Sequence, residues 1–139
     1  MTNQNQPVEP DGVFPPLGPY THAWIVPGGS DWLYVSGQVA VDTTGQVVGL
    51  GDIGAQVEQV FRNLDGVLAG AGFEFADIVK FTTYLVRVED VQAYRTAREP
   101  IFDRYFPDRR FPASTLVVVS QLANPEMLIE IETVAARAR

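Results

Sequence analysis

Along the first third of the chain, apolar positions come in short blocks broken by turn-forming residues. Residues 24–26 and 32–41 are β-type runs, and Pro27-Gly28-Gly29-Ser30-Asp31 stands between them. The pattern predicts a hairpin, and Asp42-Thr43-Thr44-Gly45-Gln46 predicts a second turn. From Ile53 the spacing changes. Ile53, Val57, Val60, Phe61, Leu64, Val67, Leu68 and Ala71 return at steps of three and four, the mark of one apolar stripe on a helix. Asp52 is placed to cap its start, and Gly72 to end it in a left-handed turn.

A strand over 78–86 follows. A second helix then starts near Asp90, with Val91, Tyr94, Ile101, Phe102 and Tyr105 on its apolar side. Pro100 falls inside it and predicts a kink or break, because proline lacks the backbone donor and crowds the preceding turn. Residues 115–119 form a continuous apolar run, as in a strand buried on both faces, and 128–135 form the last strand. Residues 1–17, rich in Pro, Asn, Gln and Gly, read as a loose arm that orders only where something ties it down. Residues 18–139 read as one domain.

The predicted order is β-β-α-β-α-β-β, an α+β fold with a mixed sheet and two helices on one face. Two helices cover only one side of such a sheet. The other face, expected to be rich in Val and Ile, then needs a partner subunit.

Composition narrows the function. At 139 residues and 46 % hydrophobic, the chain can bury a core. Its net charge of −7 repels polyanions on average, so nucleic acid is not an expected partner. With no cysteine and one histidine, His22, thiolate chemistry is excluded and a multi-histidine metal site cannot form. No apolar run approaches the ~20 residues of a membrane span, and residues 1–12 carry no export-like apolar core. The expected compartment is the cytoplasm, with no membrane partner.

Six short motifs occur in order: Gly18-Pro19-Tyr20, Val35-Ser36-Gly37-Gln38-Val39, Gly72, Ile78-Val79-Lys80, Phe111-Pro112-Ala113 and Ile129-Glu130-Ile131-Glu132. In this the chain resembles the RidA/YjgF family of reactive-intermediate deaminases, from about Gly18 to Ala135. The resemblance implies a chorismate-mutase-like fold and a homotrimer with ligand clefts between subunits. It implies hydrolysis of small enamines and imines, such as 2-aminoacrylate, to a carbonyl compound and ammonia, with neither metal nor organic cofactor.

It also implies site residues. Glu130 aligns with the family's water-activating glutamate, while Glu132 reads as an exposed neighbour on the same strand face. Tyr20 aligns with a cleft-lining tyrosine, or else packs as a turn residue. Ser36, Gly37 and Gln38 would bring backbone near the ligand, although a glycine inside a strand equally marks a bulge. Ser114 and Thr115 would offer hydroxyl and N–H donors, or simply make strand-end bonds. The family's Pro-Ala-Arg-Ser reads Pro112-Ala113-Ser114-Thr115 here, so Ser114 stands where the resemblance calls for the carboxylate-gripping arginine. A charged hydrogen bond of that kind contributes about 1.5–3 kcal/mol, which serine cannot supply. Arg95, Arg98, Arg109 and Arg110 read as a solvated face from which one can replace it, and His22 reads as structural or exposed. Two functions stay open: an enamine or imine hydrolase with altered substrate preference, and a catalytically inactive trimer that binds a small ligand or serves as a scaffold.

Overall fold

In the computed structural model, which describes residues 4–139, eight regular elements follow one another. They are β1 (Gln6–Val8), β2 (Ala23–Ile25), β3 (Asp31–Val39), α1 (Ile53–Ala71), β4 (Ile78–Leu85), α2 (Asp90–Tyr105), β5 (Ala113–Val118) and β6 (Ile129–Arg137).

Helix α1 starts where the sequence places its cap: the Ala55 N–H donates to Asp52 Oδ1 at 3.1 Å. It ends at Gly72, whose φ of 77° is open to glycine at little cost. Ile53, Val57, Val60, Phe61, Leu64 and Leu68 are buried as expected, whereas Val67 and Ala71 are exposed. The stripe is instead widened at its start by two buried amides, Gln56 and Gln59. Gln56 is fully buried and fully bonded. Its Nε2 donates to Gly49 O (3.2 Å) and Glu126 O (2.9 Å), and its Oε1 accepts from the Leu128 N–H (2.8 Å). Two turns on, Asn63 Nδ2 donates to Val39 O (2.9 Å) and Val41 O (2.8 Å). Polar side chains of α1 thus hold the backbone that leaves β3 and the backbone that enters β6.

The main sheet has the order β3-β6-β4-β5. β6 is antiparallel to both β3 and β4, while β4 and β5 are parallel and joined through α2. Both helices pack on one face, where Phe61, Phe75, Phe81, Phe102, Phe106 and Phe111 form an aromatic centre within a single core. The fold is the expected α+β, chorismate-mutase-like arrangement.

Four local expectations change. β2 does not form a hairpin with β3. It pairs with β1, which lies inside the stretch read as a loose arm, and this adds a strand at the start. β3 pairs along most of its length with the distant β6, so long-range pairing overrides the local turn signal. Asn5 Nδ2 also donates to Ala136 O at 2.8 Å, tying the arm to the far end of the sheet. Helix α2 runs through Pro100 without a break. β5 is an edge strand with Val117 and Val118 partly exposed, not a strand covered on both faces. A continuous apolar run reads alike in both situations. Finally, the bare face of the sheet is not rich in Val and Ile, because Val35, Ile129 and Ile131 point to the helices.

The Gln56 amide sits where no water can replace its bonds. Gln56→Leu keeps the size and leaves Glu126 O and the Leu128 N–H without partners, while Gly49 O keeps its bond from the Asp52 N–H. The expected loss of stability is about 2–4 kcal/mol, read as a lower urea midpoint with an unchanged slope.

Candidate functional site

Strand register arranges the bare face in rows. Tyr34, Val134, Lys80 and Ala113 stand side by side in one row, Glu132, Thr82 and Thr115 in the next, and Val39, Glu130, Tyr84 and Val117 in the third. Glu130 and Glu132 share this face because they are two apart on β6. Trp32 and Tyr34 of β3 stack at 6.3 Å between centroids and are 49 % and 76 % exposed, the most conspicuous aromatic surface on this side.

Glu130 meets Gly37 here. The β3–β6 register shifts between Val35 and Gln38, so Ser36 and Gly37 lie in a bulge. A Cβ on Gly37 would stand 2.5 Å from Glu130 Oε2 and 2.6 Å from its Cδ. The missing side chain is what makes room for the carboxylate. The bulge reading of Gly37 holds, and the group that comes close to it here is the Glu130 carboxylate. Gln38 turns its amide to Ser36 O (3.1 Å) and braces the bulge from within β3.

Tyr84, on the far side of β6, is directly across from Glu130 in register, and its hydroxyl donates to Glu132 Oε1. That bond first, then burial and the negative charge of Glu132 and Glu130, holds the phenol above its ordinary pKa. Sequence reasoning missed Tyr84. The alternation Lys80-Thr82-Tyr84 was visible, but nothing local says that β4 lies beside β6.

The other expected site residues lie elsewhere. Thr115 is on the bare face, where Lys80 Nζ donates to its Oγ1 at 2.6 Å. Ser114 is next to Phe81 in register and so belongs to the helix side of β5. β5 is two strands from β6, roughly 10 Å across the sheet. Tyr20 Oη accepts from the Leu17 N–H (3.1 Å), its ring stands edge-on to His22, and the next residue's N–H reaches Pro112 O (3.1 Å). Tyr20 thus lies beside the approach to β5. One chain brings Ser36, Gly37 and Glu130 together, and leaves Tyr20, Ser114 and Thr115 at the opposite edge of the sheet.

Of the four arginines, Arg98 lies over the Tyr94 and Phe102 rings, Arg109 stands over Phe111 and Arg110 over Trp24. His22 is structural: its Nε2 is 2.6 Å from Phe14 O and its ring packs against Phe14 and Tyr20. No helix among the described residues is long and apolar enough to cross a membrane.

A sheet of this order, bare on one face with a carboxylate seated on a strand glycine, defines a class of protein that comparison with known proteins identifies. Residues 12–137 match the family model described as Endoribonuclease L-PSP. The chain belongs to this family, the RidA/YjgF proteins. It is 34 % identical over 126 residues to the 3-aminoacrylate deaminase RutC of Acinetobacter baylyi, covering 91 % of this chain and 93 % of that one. It is 34 % identical over 120 residues to the human 2-iminobutanoate/2-iminopropanoate deaminase, covering 86 % and 80 %. Among solved structures, the Rid-family protein YyfB of Yersinia pestis, described as of unknown function, superposes with a TM-score of 0.83 at 32 % identity, covering 98 % and 100 %. The family thus includes hydrolytic deaminases of enamines and imines.

The Tyr84–Glu132 bond gives a pH signature. A raised phenol pKa adds stability that is present below the ordinary tyrosine range and lost as pH rises through the Tyr84 value. Glu132→Gln is expected to bring the Tyr84 midpoint down, followed by ring-carbon NMR through an alkaline titration.

Proposed function

We propose that the protein hydrolyses a small reactive enamine or imine to a carbonyl compound and ammonia, with Glu130 as the base that activates water. The observation that carries this reading is the seat of the Glu130 carboxylate on Gly37, at a bulge whose extra residue is left out of the ladder. A protonated imine carbon is already electrophilic, so the reaction needs a placed water and a base more than a covalent nucleophile. Glu130 takes a proton as water adds to the C=N carbon. The proton then passes to nitrogen, the C–N bond breaks, and ammonia leaves as the carbonyl forms. An enamine first takes a proton at carbon to become the imine. The names of the deaminase relatives support this chemistry. The net charge of −7 and the single histidine weigh against cleavage of RNA, which the family's name suggests.

The working form in this reading is a homotrimer. The exposed Trp32–Tyr34 pair and the open β5 edge leave apolar surface that a neighbour can cover. A neighbour's β5 would bring Tyr20, Ser114 and Thr115 toward Ser36, Gly37, Gln38 and Glu130, closing a ligand cleft between subunits. Ser114 offers no charge to a carboxylate, and Lys80 on the bare face is already bonded to Thr115. The preferred substrate is therefore an imine without a carboxylate beside the reacting carbon. The cytoplasm, with no cofactor, is the setting that fits this role.

Three measurements test the reading. Light scattering is expected to give three times the 15.3 kDa chain mass, and a stable monomer would refute the trimer. Glu130→Gln keeps the shape and removes the base. Imine hydrolysis should fall by about 10²–10⁴-fold, while Glu132→Gln changes it far less; full activity of Glu130→Gln would move the water-activating role to another group, and absence of hydrolysis by the parent protein would favour the inactive binding protein. Ser114→Arg should tighten binding of a carboxylated imine by about 10- to 150-fold, without a like gain for an uncharged one.

A further inference from the structure

On the helix side of the sheet, away from Glu130, the middle of α2 carries two neighbouring columns at i, i+4 spacing: Arg98 with Phe102, and Glu99 with Asp103. Gly18-Pro19 from one side and Arg109 with Phe111 from the other border a cavity of 380 Å³ over these columns. That volume is at the small end of metabolite sites. Phe102 and Phe111 are buried and form an apolar floor, their rings stacked at 5.8 Å.

The charges around the cavity are unequally engaged. The Arg98 guanidinium stands over the Tyr94 and Phe102 rings, 5.0 and 5.3 Å from their centroids. Contact with two ring faces holds the guanidinium in place and leaves the N–H donors not used by Tyr94 available. Its hydrogen bond, to Tyr94 Oη at 3.5 Å, is long, and among the described residues no carboxylate pairs with it. Arg109, by contrast, faces Asp103 at 3.8 Å and stands over Phe111. The Gly18 wall is fixed from behind, because His22 bonds Phe14 O and Tyr20 Oη takes the Leu17 N–H.

We propose that this cavity binds a free α-amino acid with an apolar side chain. The α-carboxylate lies against Arg98, the ammonium group lies against the Glu99–Asp103 column, and the side chain rests on Phe102 and Phe111. Two arginines and two carboxylates line the space, so a simple anion or cation meets like charge, whereas a zwitterion finds both partners. The net charge of −7 further disfavours a bare anion. The site is independent of the deaminase reading, since it lies across the sheet from Glu130.

Calorimetry on the full chain tests this with L-alanine, L-valine and L-leucine, beside 3-methylbutylamine and 4-methylpentanoate, which are leucine without its carboxylate and without its amine. At least one amino acid is expected to bind, and each single-charge analogue of leucine more weakly than leucine by at least about tenfold. Arg98→Gln and Asp103→Asn should lose binding. Gly18→Leu, at an exposed loop position, should block the cavity while leaving every charge in place, so a folding defect in the first two cannot mimic the result. Glu130→Gln should bind as the parent does. Absence of binding by all three amino acids at about 10 mM, unchanged affinity in both Arg98→Gln and Gly18→Leu, or loss of affinity in Glu130→Gln would each overturn the proposal. The last would assign the amino acid to the Glu130 cleft, separately from whether that cleft hydrolyses imines.

Discussion

Gln56 sits on the buried side of a helix, where an amide is costly unless every donor and acceptor is used. Its three bonds reach Gly49 before α1, and Glu126 and Leu128 just before β6. They join the start of α1 to the entry of the strand that carries Glu130. Leu128 is two residues from Glu130, so the height at which β6 enters the sheet is set by a hydrogen bond from the helix layer. The pairing of β6 with β3 and β4, and the position of the carboxylate, follow from that entry. Gly49 takes part as well. Its φ is 72°, and a Cβ there would stand 2.8 Å from that of Ala55, so a larger residue would push the helix start away.

The bulge in β3 gives the second constraint. With the strand bulged here, any side chain at position 37 would start in the space that Glu130 occupies. The register shift and the glycine together let a carboxylate lie against backbone in the middle of a sheet. Tyr84 and Glu132 flank it on the other side, tied to each other and not to Glu130. Glu130 is therefore flanked on both sides, and among the described residues no hydrogen bond occupies its oxygens.

Much of this was legible in the sequence where the governing physics is local. Asp52 and Gly72 announced the ends of α1, and the three-and-four spacing announced most of its buried side. Gln56 was missed because a polar residue beside an apolar stripe reads as solvent-facing until its backbone partners, 70 and 72 residues away at Glu126 and Leu128, are known, and Gln59 because its partner Asn63 reads as equally solvent-facing. The hairpin of β2 with β3 failed for a related reason. Pro27-Gly28-Gly29 does make a turn, with Ser30 Oγ donating to Pro27 O, but a turn does not choose the partner of the strand that follows. Glu130 and Gly37 were named as site residues through motif resemblance. That they touch depends on the β3–β6 register, which periodicity does not encode. Tyr84 escaped for the same reason, and the separation of Ser114 from Glu130 follows from strand order alone.

β6 is the last of the strands to be synthesised and yet lies between β3 and β4. Until it emerges, the growing chain holds two unpaired strand edges and half a core, the kind of surface on which nascent chains associate wrongly. The polar anchors of α1 act in this interval too, since Asn63 can hold the end of β3 before any strand exists to pair with it. Folding of this domain on the ribosome is in that sense an insertion, with the final strand entering a slot that the helices have kept open.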